Sequence, residues 1–158
     1  MLVKKNKDEL IIELEKNKFI FDPSQVKEGD INILSDPLKN LNTNKFFNLS
    51  GEFEVGNVSF KSYLNKNFLI FVFRYNNVNW IYLKEDLIDD TLNDLYKEWG
   101  EIEIAFINGN LKDLNKIKNK LKFKIIIDID NKNKLKGEKI NKELKINFKK
   151  IEEVNYII

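Results

Sequence analysis

Between residues 46 and 83 apolar and polar positions alternate. Phe53 and Val55, then Val58 and Phe60, are separated by polar neighbours on either side of Gly56-Asn57. That period of two predicts strands with one buried face. Phe68 to Tyr75 is too continuously apolar to face water on either side and reads as a central strand. Asn76-Asn77 supplies a two-residue hairpin turn, since Asn tolerates positive φ. Val78, Trp80 and Tyr82 then share one face of the return strand. The pattern predicts an antiparallel meander over about 46–84.

The rhythm changes after Leu83. Ile88, Leu92, Leu95 and Trp99 are spaced as one face of a helix over 85–99, and Gly100 stands where a helix C-terminus favours glycine. Ile102, Ile104 and Phe106 alternate as a strand, and Asn108-Gly109 turns the chain. Asn110 and Asp113 can cap a second helix carrying Leu111, Leu114, Ile117 and Leu121. Phe123 to Ile129 reads as another buried strand. A strand–helix–strand–helix–strand unit over 78–129 predicts parallel pairing.

The ends of the chain are less regular. Leu10, Ile11 and Leu14 give residues 6–18 a helical stripe, with Asp8 and Glu9 in its first turn, followed by an extended Phe19-Ile20-Phe21. Asp22-Pro23 and Asp36-Pro37 punctuate an irregular stretch over 22–45. Leu144, Ile146 and Phe148 fit a strand, although Leu144, Phe148, Ile151 and Ile158 also fit a helix; the strand is favoured. Asn- and Lys-rich 131–136 reads as a loop. Together the elements predict one α+β domain over 1–158, built around a mixed sheet.

Composition narrows the chemistry. The 158 residues are 42% hydrophobic and 33% charged, enough for a core and for solubility. There is no cysteine and no histidine, so disulfides, thiolate nucleophiles and Ser-His-Asp catalysis are excluded, and transition metals lose their preferred ligands. No phosphate-binding glycine motif occurs, and nothing calls for a cofactor. The longest apolar run, Phe68 to Phe73, is too short for a membrane span, and the first residues lack the apolar core of a secretory signal. A cytoplasmic protein without membrane contact is expected.

Charge adds a candidate surface. The net charge is +2, yet residues 1–84 carry +2, 85–109 carry −7 and 110–158 carry +7. On the predicted helix, Asp86, Asp90, Asp94 and Glu98 recur at i+4 with Asp89 beside them, and like charges at that spacing repel by about 0.2–0.5 kcal/mol per pair. An uncompensated row of carboxylates points to a protein partner with a basic surface. On this reading the chain is a small, non-catalytic inhibitor or immunity-type protein whose partner-binding residues are Asp86, Asp89, Asp90, Asp94 and Glu98.

Two alternatives compete. Asp128 and Asp130 ending a buried strand, with Glu143-Leu144-Lys145 on a later one, resemble the order of acidic and lysine residues in PD-(D/E)xK nucleases. In those enzymes carboxylates hold Mg²⁺ and lysine helps to activate water. Separately, Lys112, Lys116 and Lys120 on one helix face, within a lysine-rich 112–150, could contact nucleic acid phosphates without sequence preference. Arg74, the only arginine, lies outside that region.

Overall fold

The N-terminal segment holds three antiparallel strands, over Leu2–Asn6, Glu9–Leu14 and Asn17–Phe21, rather than a helix followed by a strand. The computed structural model describes residues 1–6, 9–39, 46–141 and 143–158. Numbered in chain order, β1 (Leu2–Asn6), β2 (Glu9–Leu14) and β3 (Asn17–Phe21) pair in sequence. Residues i and i+4 share a face in a strand as well as in a helix, so Leu10 and Leu14 fit both. Ile12, between them, faces the same core, and that settles the period at two. Asp8, expected in a first helical turn, lies outside the described residues. β4 (Ile31–Ile33) joins β3 in parallel and β12 (Glu143–Lys145) joins β1, giving a five-stranded sheet in the order β12-β1-β2-β3-β4.

The second sheet holds the predicted meander. β5 (Gly51–Val55), β6 (Val58–Leu64), β7 (Leu69–Tyr75) and β8 (Val78–Leu83) are antiparallel neighbours. Asn76 and Asn77 take φ of 51° and 61° in the β7–β8 turn. From β8 the sheet turns parallel through β9 (Ile104–Ile107), β10 (Ile125–Asp128) and β13 (Val154–Ile157), with the short β11 (Glu138–Lys139) at the edge. The crossovers carry helices α1 (Asp89–Trp99) and α2 (Leu114–Leu121). The fold is α+β as expected, but with two sheets where the pattern suggested one. The C-terminal prediction holds only in part: β12 contains Leu144, Phe148 is in no strand, and β13 lies further on.

Three layers result. Rings from β5 to β8 form a row between the sheets. Phe53 stacks on Phe60 at 5.1 Å, Phe60 on Phe73 at 4.9 Å, and Phe73 on Trp80 at 3.8 Å. Phe19 of β3 meets Phe60, Phe73 and Trp80 edge-on, at 82–89°. Such pairs add about 0.5–1.5 kcal/mol each beyond their buried area. On the other face, Val72, Ile81, Ala105 and Ile126 pack under Leu92 and Leu95 of α1 and Ile117 and Leu121 of α2. β7 to β10 are thus covered on both faces, which is why they read as apolar runs. No helix among the described residues is long and apolar enough to cross a membrane.

Candidate functional site

Strands β1, β3, β4, β8, β9 and β10 run in the same sense, so their C-terminal ends open on one edge of the molecule, between the two sheets. The residues there are the first polar ones after apolar strands: Asp22 after β3, Ser35 after β4, Lys84 after β8, Asn108 after β9 and Asp128 at the end of β10. Ligand sites in sheets with parallel strands gather at such ends.

Asp22 is the hub. Its Oδ1 accepts the Ser35 backbone N–H at 2.8 Å, and the Ser35 hydroxyl is 2.8 Å from both carboxylate oxygens. Oδ2 accepts the Tyr82 hydroxyl at 2.8 Å and lies 3.3 Å from the Lys84 ammonium. That ammonium also sits over the Phe68 ring, 5.0 Å from its centre. Asn108 Nδ2 donates to the Tyr82 oxygen at 2.9 Å, and its Oδ1 accepts from Lys132 at 2.8 Å. Burial, then the Asp22 charge, pushes the Tyr82 phenol well above its ordinary range.

Two further carboxylates border this network. Burial disfavours the Asp130 anion, but hydrogen bonding from Lys5 and the charges of Lys5 and Lys132 outweigh it and lower its pKa. Asp128 is fully buried and accepts both the backbone and side-chain N–H groups of Asn133 at 2.9 Å. Asn133 also donates to the Gly109 carbonyl and accepts from the Leu111 N–H, tying the β9–α2 loop to β10. Asp22, Asp130 and Asn131 hold φ of 49°, 65° and 51°. Left-handed non-glycine backbone of this kind gathers at functional sites because surrounding contacts must over-determine it.

The residues predicted from sequence lie elsewhere, and all but Asp90 are already partnered. Asp86 precedes α1; its oxygens accept the Lys112 and Asp113 backbone N–H groups at 3.0 and 2.9 Å. Asp89 pairs with Lys116, and Asp94 lies 3.9 Å from Lys97. Glu98 accepts from Lys61 and from the Tyr63 hydroxyl, each at 2.7 Å. Burial alone would raise the Glu98 pKa, but these two donors hold it below the ordinary value. Asp90 remains exposed. The basic block answers the acidic one through Lys116, which pairs with Asp89, Lys124, which lies 4.0 Å from Glu101, and Lys120, which sits over Tyr96. Lys118 binds Glu153 within the basic block itself.

The nuclease arrangement does not assemble. Glu143 and Lys145 point outward from β12, which pairs with β1 in the smaller sheet. Among the described residues no three of His, Cys, Asp and Glu are grouped to hold a metal ion.

No family model and no curated protein matches the sequence. Solved structures do share its fold. A Thermotoga maritima protein described as a candidate Zn-dependent hydrolase of the metallo-beta-lactamase superfamily superposes with a TM-score of 0.76. The match is 18% identical and covers 99% of this chain and 98% of that one. A point mutant of the beta-hydroxylase CmlA gives a TM-score of 0.61 at 6% identity, over 80% of this chain and 45% of that one. The chain thus spans less than half of CmlA. At these identities the likeness is one of fold alone, here two packed sheets with helices on the outer face of the larger one.

Zinc, named for the Thermotoga protein, finds no suitable donors here. Without His or Cys only carboxylates remain, and among the described residues each carboxylate named at this edge already accepts protein donors: Asp22 from Ser35, Tyr82 and Lys84, Asp128 from Asn133, Asp130 from Lys5 and Lys132. The inhibitor or immunity reading is also overturned. Its acidic row is largely neutralised within the chain, and the fold is that of proteins named as a hydrolase and a hydroxylase.

Proposed function

We propose that the chain is a zinc-independent enzyme of the hydrolase class acting on a small anionic substrate at the strand-end edge between the sheets. The observation that carries this reading is the Lys84 ammonium, 3.3 Å from Asp22 and fixed at the C-terminal end of β8. An immobilised positive charge in a partly desolvated site can meet negative charge as it develops on an acyl or phosphoryl oxygen. Lys132, bound to Asn108, supplies a second cation for the anionic group. Asp22 serves as the positioning residue for Lys84, since its oxygens are already taken by donors. Hydrolysis adds water across the bond: its oxygen joins the acyl or phosphoryl centre and its proton leaves with the departing group. The hydrolase class is brought by the name of the Thermotoga protein, and the cytoplasm is the proposed compartment.

The test uses anionic p-nitrophenyl esters, the phosphate monoester and the monoester of succinic acid, assayed with excess EDTA. Turnover should persist with the chelator and fall by roughly 10²-fold in Lys84→Met, the size of effect expected for one oxyanion-stabilising group. Activity that requires added Zn²⁺, or that survives Lys84→Met intact, would reject the reading. So would a lack of turnover with every anionic ester.

A further inference from the structure

A second site lies on the helix-bearing face of the larger sheet, beside the C-terminal end of α1, where Glu98 and Trp99 meet β5, β6 and β7. The register sets two rows side by side across these strands. In one row Glu52 is opposite Lys61, and Lys61 binds both Glu52 at 3.0 Å and Glu98 at 2.7 Å. In the other row Glu54 is opposite Ser59, and Ser59 is opposite Arg74. The first row is closed by its own ion pairs. The second has a small hydroxyl residue between opposite charges two inter-strand steps apart, about 10 Å.

Glu54, Ser59 and Arg74 are exposed, and neither Glu54 nor Arg74 has an ion-pair partner among the described residues. They line a concave surface of about 500 Å³ walled by Trp99. Arg74 is held rigidly: its Nε donates to Asn79 at 2.9 Å and its guanidinium lies 5.0 Å from the centre of the Trp99 ring. Asn79 in turn donates to the Trp99 and Glu101 carbonyls, at 3.1 and 3.0 Å. The anchoring uses the ring face and one nitrogen of the guanidinium. The terminal amino groups are left as a planar fork suited to a carboxylate. In a chain whose other side-chain cations are all lysines, the one arginine occupies the position where stacking and fork geometry both matter.

We infer that this groove binds a small zwitterion, an α-amino acid or a dipeptide, with its carboxylate on the Arg74 fork, its ammonium on Glu54 and its body over Ser59. A simple anion would meet Arg74 but leave the Glu54 carboxylate beside it without a counter-charge, since Lys61 is taken up by Glu52 and Glu98. A simple cation would meet Arg74 itself. Only a ligand carrying both charges in the right order satisfies the row. The inference is independent of the strand-end site and survives its failure.

Calorimetric titration with the free α-amino acids and glycylglycine, with acetate and methylammonium as single-charge controls, tests it. At least one zwitterion should bind more tightly than either control. Ser59→Lys places an ammonium between Glu54 and Arg74, closing this row as Lys61 closes the other. It should weaken that binding by about tenfold or more while the thermal midpoint is kept, and Arg74→Lys, which keeps the charge but loses the fork, should weaken it as well. Acetate binding as tightly as the zwitterions, undiminished binding in Ser59→Lys, or no zwitterion binding at millimolar concentration would each overturn the assignment.

Discussion

Gly109 shows how one residue can set the distance between two strand ends. A methyl group there would lie 1.8 Å from the Lys84 carbonyl oxygen, far inside contact distance, so the loops after β8 and β9 touch only because position 109 lacks a Cβ. Gly109→Ala should destabilise the protein by about 1–3 kcal/mol, the usual range for forced overpacking. Each kcal/mol lowers the melting temperature of a chain this size by about 2–4 °C. A thermal melt of Gly109→Ala unchanged from wild type would show that the loops can part freely. At this scale the candidate site was legible only in outline. Asp22, Lys84, Asn108 and Asp128 each follow an apolar run, a visible signal. Their convergence depends on which strands run parallel, and no local residue pattern states that.

At the scale of elements, the acidic segment shows what one-dimensional charge counting misses. The periodicity correctly placed a helix with Leu92 and Leu95 buried and Gly100 at its end. It also put Asp86 on that helix, whereas Asp86 is outside it and holds the chain entering α2. The two kinds of carboxylate should therefore respond differently to mutation. Asp86→Ala, which frees two backbone N–H groups at a helix start, should cost about 0.5–2 kcal/mol. Asp90→Lys, on exposed surface, should fall within about 0.5 kcal/mol of wild type. Urea denaturation of both variants separates the cases; equal losses would mean that the Asp86 contacts contribute nothing. The N-terminal hairpin carries a related lesson. A four-residue spacing is common to helix and strand, and the partner strands on both edges of β2 decided between them.

For the whole molecule, the distribution of paired carboxylates sets a pH window. Burial disfavours the Glu85 anion, but the backbone N–H groups of Asn67, Phe68 and Lys66 and the Asn65 side chain hold its pKa below the ordinary 4.5. Glu98 is likewise below 4.5 and Asp130 below 3.8, the ordinary values of their types. A lowered folded-state pKa gives stability that is fully present above the unfolded value and lost as pH falls through the folded one. Tyr82 has the opposite sign: its pKa is raised from 10.0, so its contribution is present below that value and lost as pH rises through the folded pKa. Stability measured by denaturant titration should thus be flat near neutrality, fall below about pH 4.5 and fall again above about pH 10. Stability rising as pH drops from 5 to 3 would contradict the assigned hydrogen bonds.

The sequence by itself determined the meander, its asparagine turn, the two crossover helices and the parallel strands after them, because period and turn chemistry are local properties of the chain. It also determined which donors a metal could not find, since composition alone removes histidine and cysteine. Only the tertiary structure decided that Leu2–Asn6 and Glu9–Leu14 are strands, that a second sheet closes over the aromatic row, and that the opposed charge blocks meet each other. Those outcomes depend on pairing between residues far apart along the chain, as between Lys116 and Asp89 or Asp22 and Lys84. Contacts of that kind follow from the folded geometry, not from the pattern of neighbours.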